Sequence, residues 1–461
     1  MISAVVDRTV GRSSLRGNFL VTWGESRERR PLGSFRSVRT QTMSSNEGEW
    51  SRFRDPTLFA ILGLAFVGTL SSSLAAPALP GIVAEFGISE ARAGLVMTAF
   101  FGPATLAIPL VGAVADRYGR RPVVLASLLL FGVAGVAIAV AESYPAVLVL
   151  RAIQGVAFPG TLPLSIALIG DLYAGRTATT VQGLRTSVNG ITSIALPAVA
   201  GVAAGFSWRV PFAIYVLAIP VLALCVVALP DPIVSSGGRD EAESTPEDES
   251  PPVTAGGSSR LREAKASALE LLGAMTPTIR VLVVATIALF LVRFALLTYV
   301  PLYLVRTLGA TEATGGLAVS VLGLGRFVIA PTAGRVVEGV GARRAIVAGL
   351  VGFAAGTVVL ALVDGVWVVV AVVALLSAGE GIVNPVVNDV VTGETAAGVR
   401  ARVVSALEAG KTAAVAVSPA FFGAILTATT YRVFFLVGGI VVGAAGLLVQ
   451  FRAFGDGPDG P

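Results

Sequence analysis

Long apolar runs separated by short polar breaks dominate the chain. Runs of spanning length occur at about 57–80, 91–115, 122–141, 144–169, 181–205 and 209–229. After one long polar break they resume at about 279–304, 313–336, 344–363, 366–390, 403–428 and 432–451. About 20 apolar residues suffice to cross the hydrocarbon layer as a helix. A helix is also the conformation in which one segment bonds its own backbone where no water is present. Pro and Gly interrupt many runs, which membrane helices tolerate when neighbouring helices cover the freed groups. The pattern therefore predicts an all-α membrane protein of twelve transmembrane helices. Two six-helix bundles, 55–229 and 279–453, flank a linker over 230–278, with a lead-in over 1–54 and a tail over 454–461.

The linker opens with the acidic, Pro/Ser/Gly-rich stretch DPIVSSGGRDEAESTPEDESPP, which has too little apolar surface to fold. From about Ser258 the pattern changes. Leu261, Ala264, Ala268, Leu271, Leu272 and Met275 form one apolar face, which predicts an interfacial helix. The alternative is a solvated tether joining two membrane halves.

Composition narrows the class. Apolar residues make up 54% of the chain and charged residues 14%, against about 25% charged in soluble domains. A nucleic-acid binder and a disordered chain are both excluded on that ground. The net charge of +5 resides wholly in residues 1–42, with eight Arg against Asp7, Glu25 and Glu28; the remainder sums to zero. That segment has no apolar core of signal-peptide length. It reads as a disordered extension or as a start assigned upstream of Met43. The single cysteine, Cys225, lies in an apolar run and His is absent. Neither a disulfide framework nor a metal centre is expected, no cofactor is implied, and proton handling would fall to carboxylates. No nucleotide-binding loop is present, and nothing in the pattern points to an enzyme.

Arg and Lys set the orientation. With both termini cytoplasmic, inner loops and tails after residue 42 hold seventeen basic residues and outer loops four, Arg92, Arg209, Arg306 and Arg432. The positive-inside rule thus places both ends on the cytoplasmic side of the cell membrane.

The two halves repeat. PLVGAVADRYGRR from Pro109 matches PTAGRVVEGVGARR from Pro331, and PAVAG at Pro197 matches PAFFG at Pro419, both at an offset of 222. WRVPF at Trp208 matches YRVFF at Tyr431 at 223. Two parallel six-helix repeats follow.

GAVADRYGRR after the second span resembles the signature loop of the major facilitator superfamily, and RAIQGVA in the fourth resembles its Arg-x-x-Gln-Gly element. The likeness covers about 55–455 and is to the twelve-helix drug/proton antiporter group. It implies the fold of that superfamily, with helices 3, 6, 9 and 12 facing lipid and 1, 4, 7 and 10 lining a central cavity. It also implies a conformational latch. Gly112 and Gly119 would turn the loop, while Arg117, Arg120 and Arg121 hold it inside. Asp116 would dock on the other half and Arg120 would pair with Asp171; Glu338, Arg343 and Glu394 would form a weaker copy. The alternative is that these charges are topology determinants alone. Pro197 and Gly201 are what survives of the antiporter element of the fifth span, where they would serve helix packing. The first span has Ser71, Ser72 and Ser73 but no acid, unlike many cation exporters.

Seven ionisable residues lie well inside spans: Arg151, Arg185, Arg293, Arg326, Glu380, Glu408 and Lys411. At a helix centre each costs roughly 2.5–3.5 kcal/mol to insert, so each needs a partner or a wet cavity. Depth counting predicts an outer layer of Arg151 and Arg293 and an inner Arg326/Glu380/Lys411 cluster. Asn384 and Asn388 share a helical face with Glu380, which reads as cavity-lining. Glu380 is the candidate proton-exchanging carboxylate; the alternative is a permanent ion pair with Arg326 or Lys411. Glu408 reads as structural. Arg151 is, by resemblance, the superfamily's fourth-span arginine of proton transfer and substrate handling, with Gln154 and Asn189 as companions.

The expectation is a monomeric secondary transporter working by alternating access, exporting small amphipathic molecules or drugs in exchange for protons. An anionic metabolite is the alternative cargo, and a non-transporting sensor or scaffold the alternative class.

Overall fold

The computed structural model describes residues 55–230, 273 and 275–453. The lead-in, the tail and nearly all of the linker with its expected interfacial helix lie outside the described residues. Within them, twelve helices are long and apolar enough to cross a membrane. In the first half these are α1 (Pro56–Phe86), α2 (Glu90–Tyr118), α3 (Arg120–Ala139), α4 (Tyr144–Leu172), α5 (Gly175–Phe206) and α6 (Arg209–Ala228). In the second they are α7 (Pro277–Thr307), α8 (Glu312–Val340), α9 (Ala342–Leu360), α10 (Val366–Glu394), α11 (Gly398–Ala428) and α12 (Tyr431–Arg452).

Local chemistry sets the ends. The Asp55 carboxylate accepts from Thr57 N at 2.9 Å and caps α1, with Pro56 in its first turn, where a missing N–H leaves no bond unmade. The other oxygen of that carboxylate accepts from the Tyr173 hydroxyl at 3.0 Å, which ties the start of α1 to the α4–α5 loop. Burial, reinforced by this bond, pushes the Tyr173 phenol above its ordinary range. Ser89, Ser143, Thr276 and Thr311 cap α2, α4, α7 and α8.

One residue joins α2 to α3 and one joins α8 to α9: Gly119 at φ 89° and Gly341 at φ 81°. These are the equivalent positions of the sequence repeat. A left-handed backbone followed at once by a helix requires glycine, so each half turns this corner by the same device. Gly112 does not share the task, contrary to expectation. The second helix runs on to Tyr118, which leaves Gly112 within it.

The four most buried spans are α1, α4, α7 and α10, and α6 is the least buried. The halves meet mainly along two seams, α2 against α11 and α5 against α8. Both α4 and α8 are broken by a turn of 3-10 helix, at Phe158–Gly160 and Ala330–Thr332, each containing a proline.

Candidate functional site

A cavity of about 500 Å³ lies between the halves. Its walls come from α1, α2, α4, α5, α7, α8 and α11. Thr69 and Ser71–Ser73 supply a hydroxyl-rich wall from α1, whereas Phe101, Phe158, Phe290 and Phe294 supply aromatic surface. The charged lining residues are Arg185, Arg293, Arg326, Glu408 and Lys411. On most walls the lining sits about mid-span; on α4 and α11 it leans toward the end that carries both termini, and on α7 and α8 toward the opposite end.

The opposite end is closed. There the Tyr431 hydroxyl of the second half donates to the Glu90 carboxylate of the first. Nearby, α5 and α8 touch backbone to backbone: a Cβ on Gly201 would lie 2.7 Å from Glu312 O and 2.8 Å from Gly316 Cα. Two small residues face each other at the seam, which is what lets the helices approach so closely. Pro197 belongs to the same contact, its carbonyl meeting Gly316.

Glu380 is fully buried and sits between two guanidiniums. Arg293 Nε donates to Oε2 at 2.5 Å, and the Arg326 guanidinium lies 3.5 Å from Oε1. This corrects the layer expectation, in which Arg293 stood apart from Glu380. The seventh span is longer than its apolar run suggested and ends at Thr307. From the observed helix ends, Arg293, Arg326 and Glu380 each lie 14 residues deep, below Thr307, Glu312 and Val366. They form one level and therefore meet. The second correction concerns the α10 face. Glu380, Asn384 and Asn388 are not among the residues lining the cavity, because Arg293 and Arg326 stand between Glu380 and the open space.

Lys411 leaves the cluster to which it was assigned. Its Nζ bonds Glu408 at 2.7 Å and Asn388 at 3.2 Å, and lies 5.5 Å from the centre of the Phe290 ring. Lys411 is 17 residues from the end of α11 at Ala428, three residues deeper than the Glu380 level, or about 4.5 Å of rise. Glu408, an i−3 neighbour on the same helix, is the nearer anion. Asn384 Oδ1 is buried with no hydrogen-bond partner.

Arg151 also differs from expectation. It is fully buried and takes no part in the cavity wall. Its guanidinium donates to Val96 O at 3.3 Å, Ser71 O at 3.1 Å, Gln154 Oε1 at 2.9 Å and the Tyr215 hydroxyl at 3.3 Å. The plane stacks on Phe100 with 4.6 Å to the ring centre. One side chain thus straps α1, α2, α4 and α6 together. Gln154 completes the knot by donating to Phe131 O at 3.2 Å. Asn189 is elsewhere: it lines the cavity, and its carbonyl accepts from Thr69.

At the end bearing the termini, Arg120 pairs with Asp171 inside the first half. Arg121 donates to Val226 O at 2.6 Å and Arg117 stacks on Tyr118. The Asp116 side chain is 64% exposed, with Arg120 at 3.7 Å, so it does not dock on the second half here. In the second half Arg343 donates to Gln450 O, and among the described residues no bond joins it to Glu338 or Glu394.

Arg185 is the functional candidate that sequence reasoning passed over. It lines the cavity, is 8% exposed, and donates from Nε to Gln182 at 3.2 Å. The available signal was that the spans of the first half contain two embedded arginines, Arg151 and Arg185, and no embedded acid.

A model of the Major Facilitator Superfamily matches residues 61–305 and 282–460. The bacillibactin exporter of Bacillus subtilis is 30% identical over 162 residues, covering 34% of this chain and 40% of that protein. The multidrug transporter protein MdtP of the same organism is 26% identical over 185 residues, covering 40% and 34%. The matched part thus spans less than half the length of either relative. Among solved structures, the nucleoside transporter NupG superposes with a TM-score of 0.69 at 12% identity, covering 86% of this chain and 99% of that one. A D-xylose-proton symporter does so at 0.65 and 18%, covering 86% and 98%. At such identities the likeness is one of fold.

Proposed function

Because the chain belongs to the Major Facilitator Superfamily, we propose that it is a secondary transporter that moves small amphipathic molecules out of the cell in exchange for protons. It acts by alternating access, in the cell membrane, with both termini cytoplasmic. The observation that carries this reading is a charged mid-span cavity between the halves, which are clamped together at one end by Glu90–Tyr431 and Gly201–Gly316. Rocking the halves about the midplane would part the clamp and close the opposite end, where Asp116 would then find its partner. Export is supported by the relatives named as an exporter and a multidrug transporter.

Glu380 is the coupling group in this reading. Its carboxylate meets Arg293 of α7 and Arg326 of α8, so movement of either helix would change the charge beside it. Transport of labelled amphipaths into and out of proteoliposomes, with and without a pH gradient, tests the scheme. Glu380→Gln should yield folded protein that still exchanges cargo but ignores the gradient. A variant that remains gradient-driven sinks the coupling role, and one that does not fold assigns Glu380 to structure. Failure of the wild type with every cargo and gradient favours a sensor or scaffold.

A further inference from the structure

The charges at and beside the cavity do not balance: Arg185, Arg293, Arg326 and Lys411 face Glu380 and Glu408, an excess of two, one at the Arg293–Glu380–Arg326 group and one at Arg185. Glu380 serves both Arg293 and Arg326, and Glu408 serves Lys411. Arg185 has no carboxylate among the described residues. A guanidinium carries five N–H donors. One of those of Arg185 is used, on the neutral side-chain oxygen of Gln182, which leaves four without an acceptor among the described residues. A cation withdrawn from water to this degree is costly unless an anion or strong acceptors meet it. Arg151 shows how the chain treats a buried arginine that is only structural, by surrounding it with four acceptors and an aromatic face. No such shell is built around Arg185, which stands at the wall of an open cavity instead.

Its neighbours extend the same chemistry. Asn189 lies one helical turn on along the same face of α5. Its carbonyl is occupied by Thr69, so its amide nitrogen remains as a second donor toward the cavity. Phe101, Phe294 and Leu322 line the same cavity with apolar surface. Charged donors beside aromatic walls match an amphipath with one anionic end.

We propose that the cargo carries an anionic group, a carboxylate or sulfonate, and that Arg185 holds it, with Asn189 as the second donor. The inference rests on the transporter reading above and names its cargo class. It differs from a cation exporter in the sign of the charge recognised, and it places recognition in the first half while Glu380 sits in the second. Arg326 and Lys411, paired within their own half, supply a favourable field but not the contact.

Matched fluorescent probes test this at equilibrium. The full chain in lipid nanodiscs is titrated with dansylglycine, dansylamide and dansylcadaverine, which share an aromatic body and differ in charge. Charge-assisted hydrogen bonds predict dansylglycine about ten- to hundredfold tighter than dansylamide, with dansylcadaverine weakest. Arg185→Gln should remove that preference while leaving dansylamide binding within about twofold; Arg185→Lys should keep part of it. The wild-type series alone decides the matter if the glutamine variant does not fold: equal or weaker binding of dansylglycine overturns the proposal. Equal loss of all three probes in a folded Arg185→Gln overturns it too, since that is the mark of a packing role. No gradient is present, so the outcome is independent of Glu380. Protein that binds through Arg185 yet moves nothing in proteoliposomes refutes the transporter reading and leaves the anion site standing.

Discussion

Gly201→Ala is the smallest perturbation that reaches the clamp between the halves. The added Cβ would meet three backbone atoms of α8, Glu312 O at 2.7 Å, Gly316 Cα at 2.8 Å and Gly316 N at 3.0 Å. Backbone cannot turn aside as a side chain can, so α5 and α8 must separate by about 0.7 Å to restore ordinary contact near 3.4 Å. Overpacking of this kind costs about 1–3 kcal/mol. The penalty falls on the conformation in which this end is closed and vanishes when the seam opens. The equilibrium should therefore move toward the opposite state by roughly 5- to 150-fold. Spin labels on Glu142→Cys and Leu362→Cys, in the loops after α3 and α9, report the gap at this end in a Cys225→Ser background. Double electron–electron resonance should show a single distance for the parent and a substantial longer population for Gly201→Ala. Gly205→Ala, one turn on and facing open space, should leave the distribution unchanged. An unaltered distribution in folded Gly201→Ala would refute the view that this contact holds the end shut.

Other perturbations probe the parts around it. Arg151→Met should lower the melting temperature, because it removes four hydrogen bonds that join α1, α2, α4 and α6 and leaves buried Gln154 Oε1 without its donor, at about 1–3 kcal/mol for that group; a melt within a degree or two of wild type would contradict the strap. Gly119→Ala and Gly341→Ala should each cost about 1–3 kcal/mol, read by thermal melting, since both force a side chain into left-handed φ. Asp55→Ala should destabilise by about 0.5–2 kcal/mol through loss of the α1 cap and should bring the Tyr173 phenol back down, seen as earlier phenolate absorbance in a pH titration. With the folded phenol raised, the stability due to this pairing is present through neutral pH. It is lost only as alkali rises through the folded value, above the unfolded one near 10.

Much of this was legible in the residues because it is local. An apolar run of about 20 residues has one outcome in hydrocarbon, so the twelve spans follow from it. The offset of 222 between PLVGAVADRYGRR and PTAGRVVEGVGARR foretold that two halves would share a corner, and both use glycine there. Embedded charge was legible in the same way, since each such residue is an exception to its surroundings. Span ends were less so. The second helix swallowed Gly112 and the seventh ran on to Thr307, because polar residues at a boundary are tolerated in a last helical turn. A shift of three residues is about 4.5 Å. That was enough to assign Arg293 to the wrong level and to hide its bond with Glu380.

By itself the sequence determined that this is a twelve-helix, two-repeat membrane protein with a few costly charges in its interior, because insertion into lipid is decided segment by segment. Only the tertiary structure decided what each charge does. Electrostatic and hydrogen-bond energies depend on atoms within a few ångströms, and here those atoms come from helices far apart in the chain. Arg151 and Arg185 are both arginines inside the first half. One is closed off among four acceptors and the other left at a cavity wall with four donors to fill, and no reading of either segment alone separates them.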